Sequence, residues 1–307
     1  ETPEPAVVDA ARRLFARTLE AKGGLKIYTI HGFCERVLQR FPLEAGIAPN
    51  FSVLDGREAT LLRAEAFAAT IARIAADSEG PLGKALVTVL GRSAESQLRV
   101  MVDLALEERA ALGQLRGRGA DWPEAECRAL KRLLGVEHER EQALLETMAS
   151  IVDNSLIDKL LNVLKGNAAT DADQTLRFAL EAARHAVGES RIAALRPIFS
   201  TAENKPRARL CSKATADAAP ELWEAFKAGQ NEYCAADLKL EHLRAAESSV
   251  ALLVLANEIH AEYERRKKAE ATLDYDDLIA KSVSLFVDAG AAPWVLYKMD
   301  RGIDHIL

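Results

Sequence analysis

Cysteine is scarce in this chain: Cys34, Cys127, Cys211 and Cys234 are the four present, and no two form a CxxC pair. Zinc and iron–sulfur sites draw on clustered ligands, and disulfide frameworks belong to small secreted chains. The four therefore read as isolated, buried or half-buried thiols. Aromatic residues are only 6% of the 307, while hydrophobic residues reach 49%. Ala, Leu and Val carry that apolar content, which favours helices over an all-β fold. No apolar run reaches the roughly 18 residues of a membrane span. The opening ETPEPAVVDAARRLF lacks the basic start and apolar stretch of a signal peptide. Neither sign of charge dominates, with 40 basic against 46 acidic residues. That balance excludes a disordered polyelectrolyte and a uniformly basic nucleic-acid binder, but leaves room for a local basic face. The expectation is a soluble, largely helical, intracellular chain with a length suited to about two domains.

Catalytic signatures are missing too. There is no HExxH, GxSxG or EF-hand loop. The nearest imitation of a phosphate-binding loop is Gly80-Pro81-Leu82-Gly83-Lys84-Ala85, where the glycine spacing is wrong and Ala85 supplies no hydroxyl for magnesium. It reads as a helix break.

What is present is helical periodicity. Val7, Ala11, Leu14, Phe15 and Leu19 predict a helix over about 6–21, ended by Gly23-Gly24. Leu25–Ile30 alternates apolar and polar residues and is the best strand candidate, followed by a helix over about 31–40 that stops at Phe41-Pro42. From Leu54 to Ala271 there is almost no strand signal. Breaks fall at Gly80-Pro81, across Gly113–Pro123, at Gly166-Asn167 and around Asn204–Pro206. Residues 231–271 contain no proline or glycine and predict one long helix, whose centre Val250–Leu255 is apolar all round and calls for burial on several sides. A helix then starts in Leu273–Ile279 and reaches about Phe286, with a short one near Pro293–Met299. The final Ile303–Leu307 looks like the opening of a strand without a partner, so truncation is expected there. No fixed repeat supports a solenoid.

Several groups are candidates for chemistry. Thr29 and His31 lie where the expected strand meets its helix, a corner suited to gripping a phosphate or sugar. Equally, Thr29 caps the helix and His31 bonds a local carbonyl. Asp274 and Asp277 have N-cap/N3 spacing, so capping is the stronger reading over a metal cluster. Arg265–Lys268 lies among Glu262, Glu264 and Glu270 and reads as solvated face. Lys205, Arg207, Arg209 and Lys213 are less compensated, loop-like and the fairer DNA candidate. Arg116-Gly117-Arg118-Gly119 reads as a mobile linker. Trp122, Trp223 and Trp294 are spaced like core anchors, without the basic–aromatic interleaving of base-stacking surfaces.

Three segments in order carry a family likeness: KIYTIHGFCERVLQRFPLEAGI, TLDYDDLI and the terminal WVLYKMDRGIDHIL. Together they resemble UvrD/Rep-like superfamily I DNA helicases, most of all the AddA-type subunits of helicase–nuclease recombination complexes. The resemblance implies a mainly α chain: a multi-helix 1B-like insertion domain over 54–271, with two short flanking pieces of a RecA-like α/β domain 1A, 1–53 and 272–307, cut before the Walker B acids. It implies that Thr29 and His31 meet a single-strand backbone and that Gly32 permits close approach; Asp276-Asp277 marks a location only. It further implies ATP and Mg2+ for the parent helicase, with no cofactor, metal or catalytic residue in this stretch, which alone is expected to be inactive. Single- and double-stranded DNA, an AddB-like nuclease subunit and a bacterial cytoplasmic setting follow in the same way, as does a role in double-strand break repair and homologous recombination. The rival readings are a helical scaffold binding only proteins, and an inactive helicase-like regulatory subunit.

Overall fold

The computed structural model describes residues 4–20, 28–167, 170–201, 205–288 and 290–299. From the N-terminus run α1 (Pro5–Glu20), α2 (Ile30–Arg40), β1 (Ser52–Val53) and α3 (Gly56–Ala76). There follow α4 (Pro81–Leu90), α5 (Glu95–Glu107), α6 (Arg109–Gly117), α7 (Trp122–Leu133), α8 (Glu141–Ser150), α9 (Asn154–Asn167), α10 (Asp171–His185), α11 (Gly188–Phe199) and α12 (Lys213–Ala218). The chain continues as α13 (Pro220–Ala269), β2 (Thr272–Leu273), α14 (Tyr275–Val287) and α15 (Ala292–Met299). The fold is mainly α. Among the described residues no single helix is long and apolar enough to cross a membrane. Two compact units are present, Glu1–Arg73 with Ile259–Leu307, and Ile74–Glu258. Both divisions fall within helices, α3 and α13, where no turn marks them in the sequence.

The unit Ile74–Glu258 is built on the first part of α13. That helix has 50 residues, about 75 Å at ~1.5 Å per residue, and is longer than the periodicity alone predicts. Pro220 is its first residue, where the missing N–H costs nothing. Gly229 stays inside it because a Cβ there would lie 3.2 Å from the Ile151 side chain. Around α13 pack α8 to α11, through Met148, Ile157, Leu160, Leu180, Leu195 and Phe199, all fully buried. Burying each such side chain stabilises by about 1.5–3 kcal/mol. The densest part is aromatic: Phe199 lies 4.9 Å from Phe226 and 5.2 Å from Tyr233, centroid to centroid. Val250, Ala251, Leu255 and Ala256 are buried and Leu252–Val254 half-buried, as an all-apolar stretch requires. Two expectations fail here. Gly113 lies inside α6 rather than in a break. Arg116 is no linker residue: it donates to the Asn257 carbonyl at 3.0 Å and side chain at 2.9 Å.

In the other unit a parallel pairing closes the chain on itself. Ser52 pairs with Thr272 and Val53 with Leu273, held by the Leu54 amide donating to the Leu273 carbonyl at 2.8 Å. Sequence patterning places no strand at either segment, because two residues give no alternation to read. α13 reaches β2 through Ala271, whose φ of +53° lies in the left-handed region and costs about 1–2 kcal/mol in a residue with a Cβ. α2 packs on α14 through Cys34, Leu38 and Leu278 at one level, and at the next Val37, Phe41 and Leu285 pack together with Val295 of α15. The strand expected over Leu25–Ile30 is corrected where it is described: Ile30 is already helical, and Tyr28 and the extended Thr29 belong to no strand; residues 25–27 lie outside the described residues. So do Gly23-Gly24, Asn204 and the strand expected over Ile303–Leu307. Trp122 and Trp223 are buried, whereas Trp294 is 49% exposed and anchors no core; it stacks loosely on Tyr297.

Candidate nucleic-acid interface

The first turn of α2 is shaped by its cap. Thr29 has extended backbone, and its hydroxyl accepts the Gly32 amide at 3.2 Å, so the capping reading of Thr29 is correct. A helix start leaves its leading N–H groups without intrahelical acceptors, and they point outward. His31 is the second helical residue, not part of an extended segment, and its ring meets Tyr275 edge to face at 5.1 Å and 65°. A Cβ on Gly32 would meet only ordinary contacts, 3.4 Å from Thr29 Oγ1 and 3.9 Å from Tyr28 Cβ. The protein's own atoms therefore do not demand glycine there. Arg36 lies over the Tyr28 ring at 4.2 Å, so a cation and three rings gather about this turn.

Behind Tyr275 is a buried ionic cluster that sequence reading missed. Asp274 caps α14 by accepting the Asp277 amide at 2.9 Å, and Asp277 Oδ2 accepts the Asp274 amide at 3.1 Å. This capping box matches the N-cap/N3 spacing read from the sequence. Lys267 Nζ lies 2.5 Å from Asp277 Oδ2, 3.2 Å from Asp274 Oδ2 and 2.6 Å from Glu264 Oε1. Lys267 is 2% exposed, which corrects the reading of Arg265–Lys268 as wholly solvated face. Burial pushes its ammonium pKa down, but Asp277 and Asp274 outweigh that and hold it above the usual lysine value. Burial, with Asp274 beside it, pushes the Tyr263 phenol well up. Its hydroxyl donates to Asp274 Oδ2 at 2.9 Å. The acids of Asp274-Tyr275-Asp276-Asp277 signalled the cap; nothing local signalled that the third residue of a basic run turns inward.

The second candidate set belongs to the other unit. Ser200 and Pro206 form an antiparallel bridge, and the Arg207 amide donates to the Phe199 carbonyl at 2.9 Å. Buried Gln230 donates from Nε2 to the carbonyls of Phe199 and Arg207, at 2.9 and 3.0 Å. The segment is thus irregular but pinned, with Lys205, Arg207 and Arg209 exposed. Arg207 spends its Nε on the Pro197 carbonyl at 2.7 Å. Lys213 opens α12, capped by Ser212.

Residues 80–85 are the turn into α4 and its first residues, and a Cβ on Gly83 would lie 2.1 Å from the Ser78 carbonyl oxygen. That glycine allows the helix to seat on the preceding turn, so the segment forms no phosphate cradle. Among the described residues no group of three or more His, Cys, Asp or Glu is placed to hold a metal ion.

A mainly helical protein of two compact units, one carrying an open, aromatic-flanked helix start and the other an exposed basic segment, is the class these features define. The model of the UvrD/REP helicase N-terminal domain matches residues 7–307, and the chain belongs to that family. A search of curated proteins returns no match.

Proposed function

We propose that these residues are the DNA- and subunit-contacting part of an AddA-type, ATP-dependent DNA helicase acting in double-strand break repair and recombination. Residues 54–271 serve as its domain 1B, and 1–53 with 272–307 as parts of domain 1A. The observation that carries the reading is the first turn of α2: outward amides, a capping Thr29, His31 held on Tyr275, and a Gly32 whose missing Cβ no internal contact requires. Within a helicase family this supports Thr29, His31 and Gly32 meeting a single-strand backbone. Lys205, Arg207 and Arg209 meet phosphates of a duplex. Exposed Val87, Val100 and Leu104 on α4 and α5 suit contact with an AddB-like subunit. ATP and Mg2+ belong to this reading of the helicase, yet no described residue is assigned to hold either, and the 307 residues alone are proposed to be inactive. The setting proposed is the cytoplasm.

Fluorescence anisotropy tests it. The chain should bind a single-stranded oligonucleotide with salt-dependent affinity, weakened by His31→Ala. Neutralising Lys205, Arg207 and Arg209 together should flatten the duplex salt slope by up to about 3, since each lost phosphate contact removes roughly 0.9 from it. An unchanged slope would make these charges solvated surface, and binding indifferent to His31→Ala would remove α2 from the interface. In the same sample, ATP with magnesium should not raise the melting temperature.

A further inference from the structure

We propose that Lys267 is a positioning residue for the strand-contacting turn of α2, acting through the start of α14 and Tyr275. The proposal rests on the reading of His31 as a DNA contact.

Lys267 is buried while its neighbours Arg265 and Lys268 are exposed. A buried ion pair often adds no more stability than well-packed apolar residues of similar volume, so its contribution is sought in geometry. Its ammonium reaches Asp277 at 2.5 Å and Asp274 at 3.2 Å. These two are the N3 and N-cap residues of α14, each accepting the other's amide. A cation holding both ends of a capping box fixes the rotation of that first turn. Tyr263 adds a third hold: its hydroxyl donates to the Asp274 oxygen that faces Lys267, and the ammonium lies 4.6 Å from its ring centroid.

Tyr275 is the first residue of the same turn, and its ring touches His31. The apolar contact of α2 with α14 through Leu38 and Leu278 keeps the helices together but starts one turn later. It does not select the direction in which Tyr275 leaves the cap. The line of action therefore runs from Lys267, through Asp274 and Asp277, to Tyr275 and His31, and every member lies in one compact unit.

The test uses the 307-residue chain with Lys267→Met, Tyr275→Leu and their combination. The His31 imidazole proton resonances, assigned by their loss in His31→Ala, report the ring current of Tyr275. They should move in Lys267→Met in the direction seen in Tyr275→Leu. Single-strand affinity should fall about fivefold in Lys267→Met, and the double variant should be no weaker than Tyr275→Leu alone, because residues acting in series do not add. Duplex binding through Lys205, Arg207 and Arg209 should stay unchanged. Affinity losses that multiply, or His31 resonances that stay in place, would overturn the positioning role. Should Lys267→Met fail to fold, Asp277→Asn keeps an acceptor in the capping box, removes the charge opposite the ammonium, and faces the same two outcomes. Wild-type binding by His31→Ala would instead overturn the DNA reading of α2, and with it the strand-contacting role, while the resonance shift separately reports the geometry.

Discussion

Phe226→Ala is expected to cost about 3–5 kcal/mol of stability, the range for emptying a buried aromatic site. Phe226 is fully buried on α13. Its ring lies 4.9 Å from Phe199 and, edge to face, 5.9 Å from Trp223. Trp223 is itself tied down by its indole N–H, which donates to the Thr215 carbonyl at 2.8 Å. Neighbours held in this way cannot collapse into the cavity, so the loss falls at the upper end. Urea unfolding measures it as a lowered midpoint with the denaturant slope preserved. Phe178→Ala is the control: that ring is 59% exposed beside Arg177, and its removal should change stability by no more than about 0.5 kcal/mol. A loss at Phe226 as small as the control's would contradict the packing described around α13.

Asp173→Asn should have the next largest effect, and its size should depend on pH. Asp173 is fully buried. Its carboxylate accepts the Thr170 hydroxyl at 2.6 Å and the Ser212 amide at 2.9 Å. Burial pushes its pKa up, but the bonds from Ser212, Thr170 and Thr215 win and hold it below the usual aspartate value. A depressed folded pKa means that the ionised group contributes its full stabilisation above the ordinary aspartate pKa of about 4. That contribution is lost as pH falls through the folded value. Near neutral pH the substitution should cost about 2–3 kcal/mol, the range for hydrogen bonds to a charged group. The gap from the parent chain should begin to narrow as pH falls below about 4 and close only below the lowered folded value, where the parent's own carboxylate is protonated. Melts at pH 7, 5 and 3 read this directly. A gap that stays constant across them would show that the charge of Asp173 is not what holds the Ser212 turn. The turn has a bearing on function because it anchors the end of the Lys205–Lys213 segment.

Much of the candidate site can be read without coordinates, where its signals are local. The Thr29 cap and the Asp274–Asp277 capping box are relations between residues three apart. The start of α4 at Pro81 and the absence of proline and glycine over 231–269 of α13 are properties of single residues. Such features depend on backbone bonding within one turn, so the order of residues is enough to specify them. The same holds for the mainly α character, set by an Ala- and Leu-rich composition with few aromatics.

Other features depend on which distant segments meet. Lys267 sits in a basic run with acids on either side, and the run looks solvated until α14 folds back and places two carboxylates against one of its members. Arg116 looks like linker until Asn257 is beside it. Trp294 looks like a core anchor, but it is left about half exposed, against Tyr297 and Lys298 of its own helix. β1 and β2 are too short to show a period and exist only because each supplies the other's hydrogen bonds. Tyr275 and His31 are far apart in the chain, and no local pattern pairs them. By itself the sequence determined the mainly α character, the Thr29 and Asp274–Asp277 caps and the break at Gly80-Pro81, because those energies are paid within a turn. The burial of Lys267, the pairing of β1 with β2 and the contact of Tyr275 with His31 were decided by tertiary structure alone, since desolvation and pairing depend on what packs across the gap.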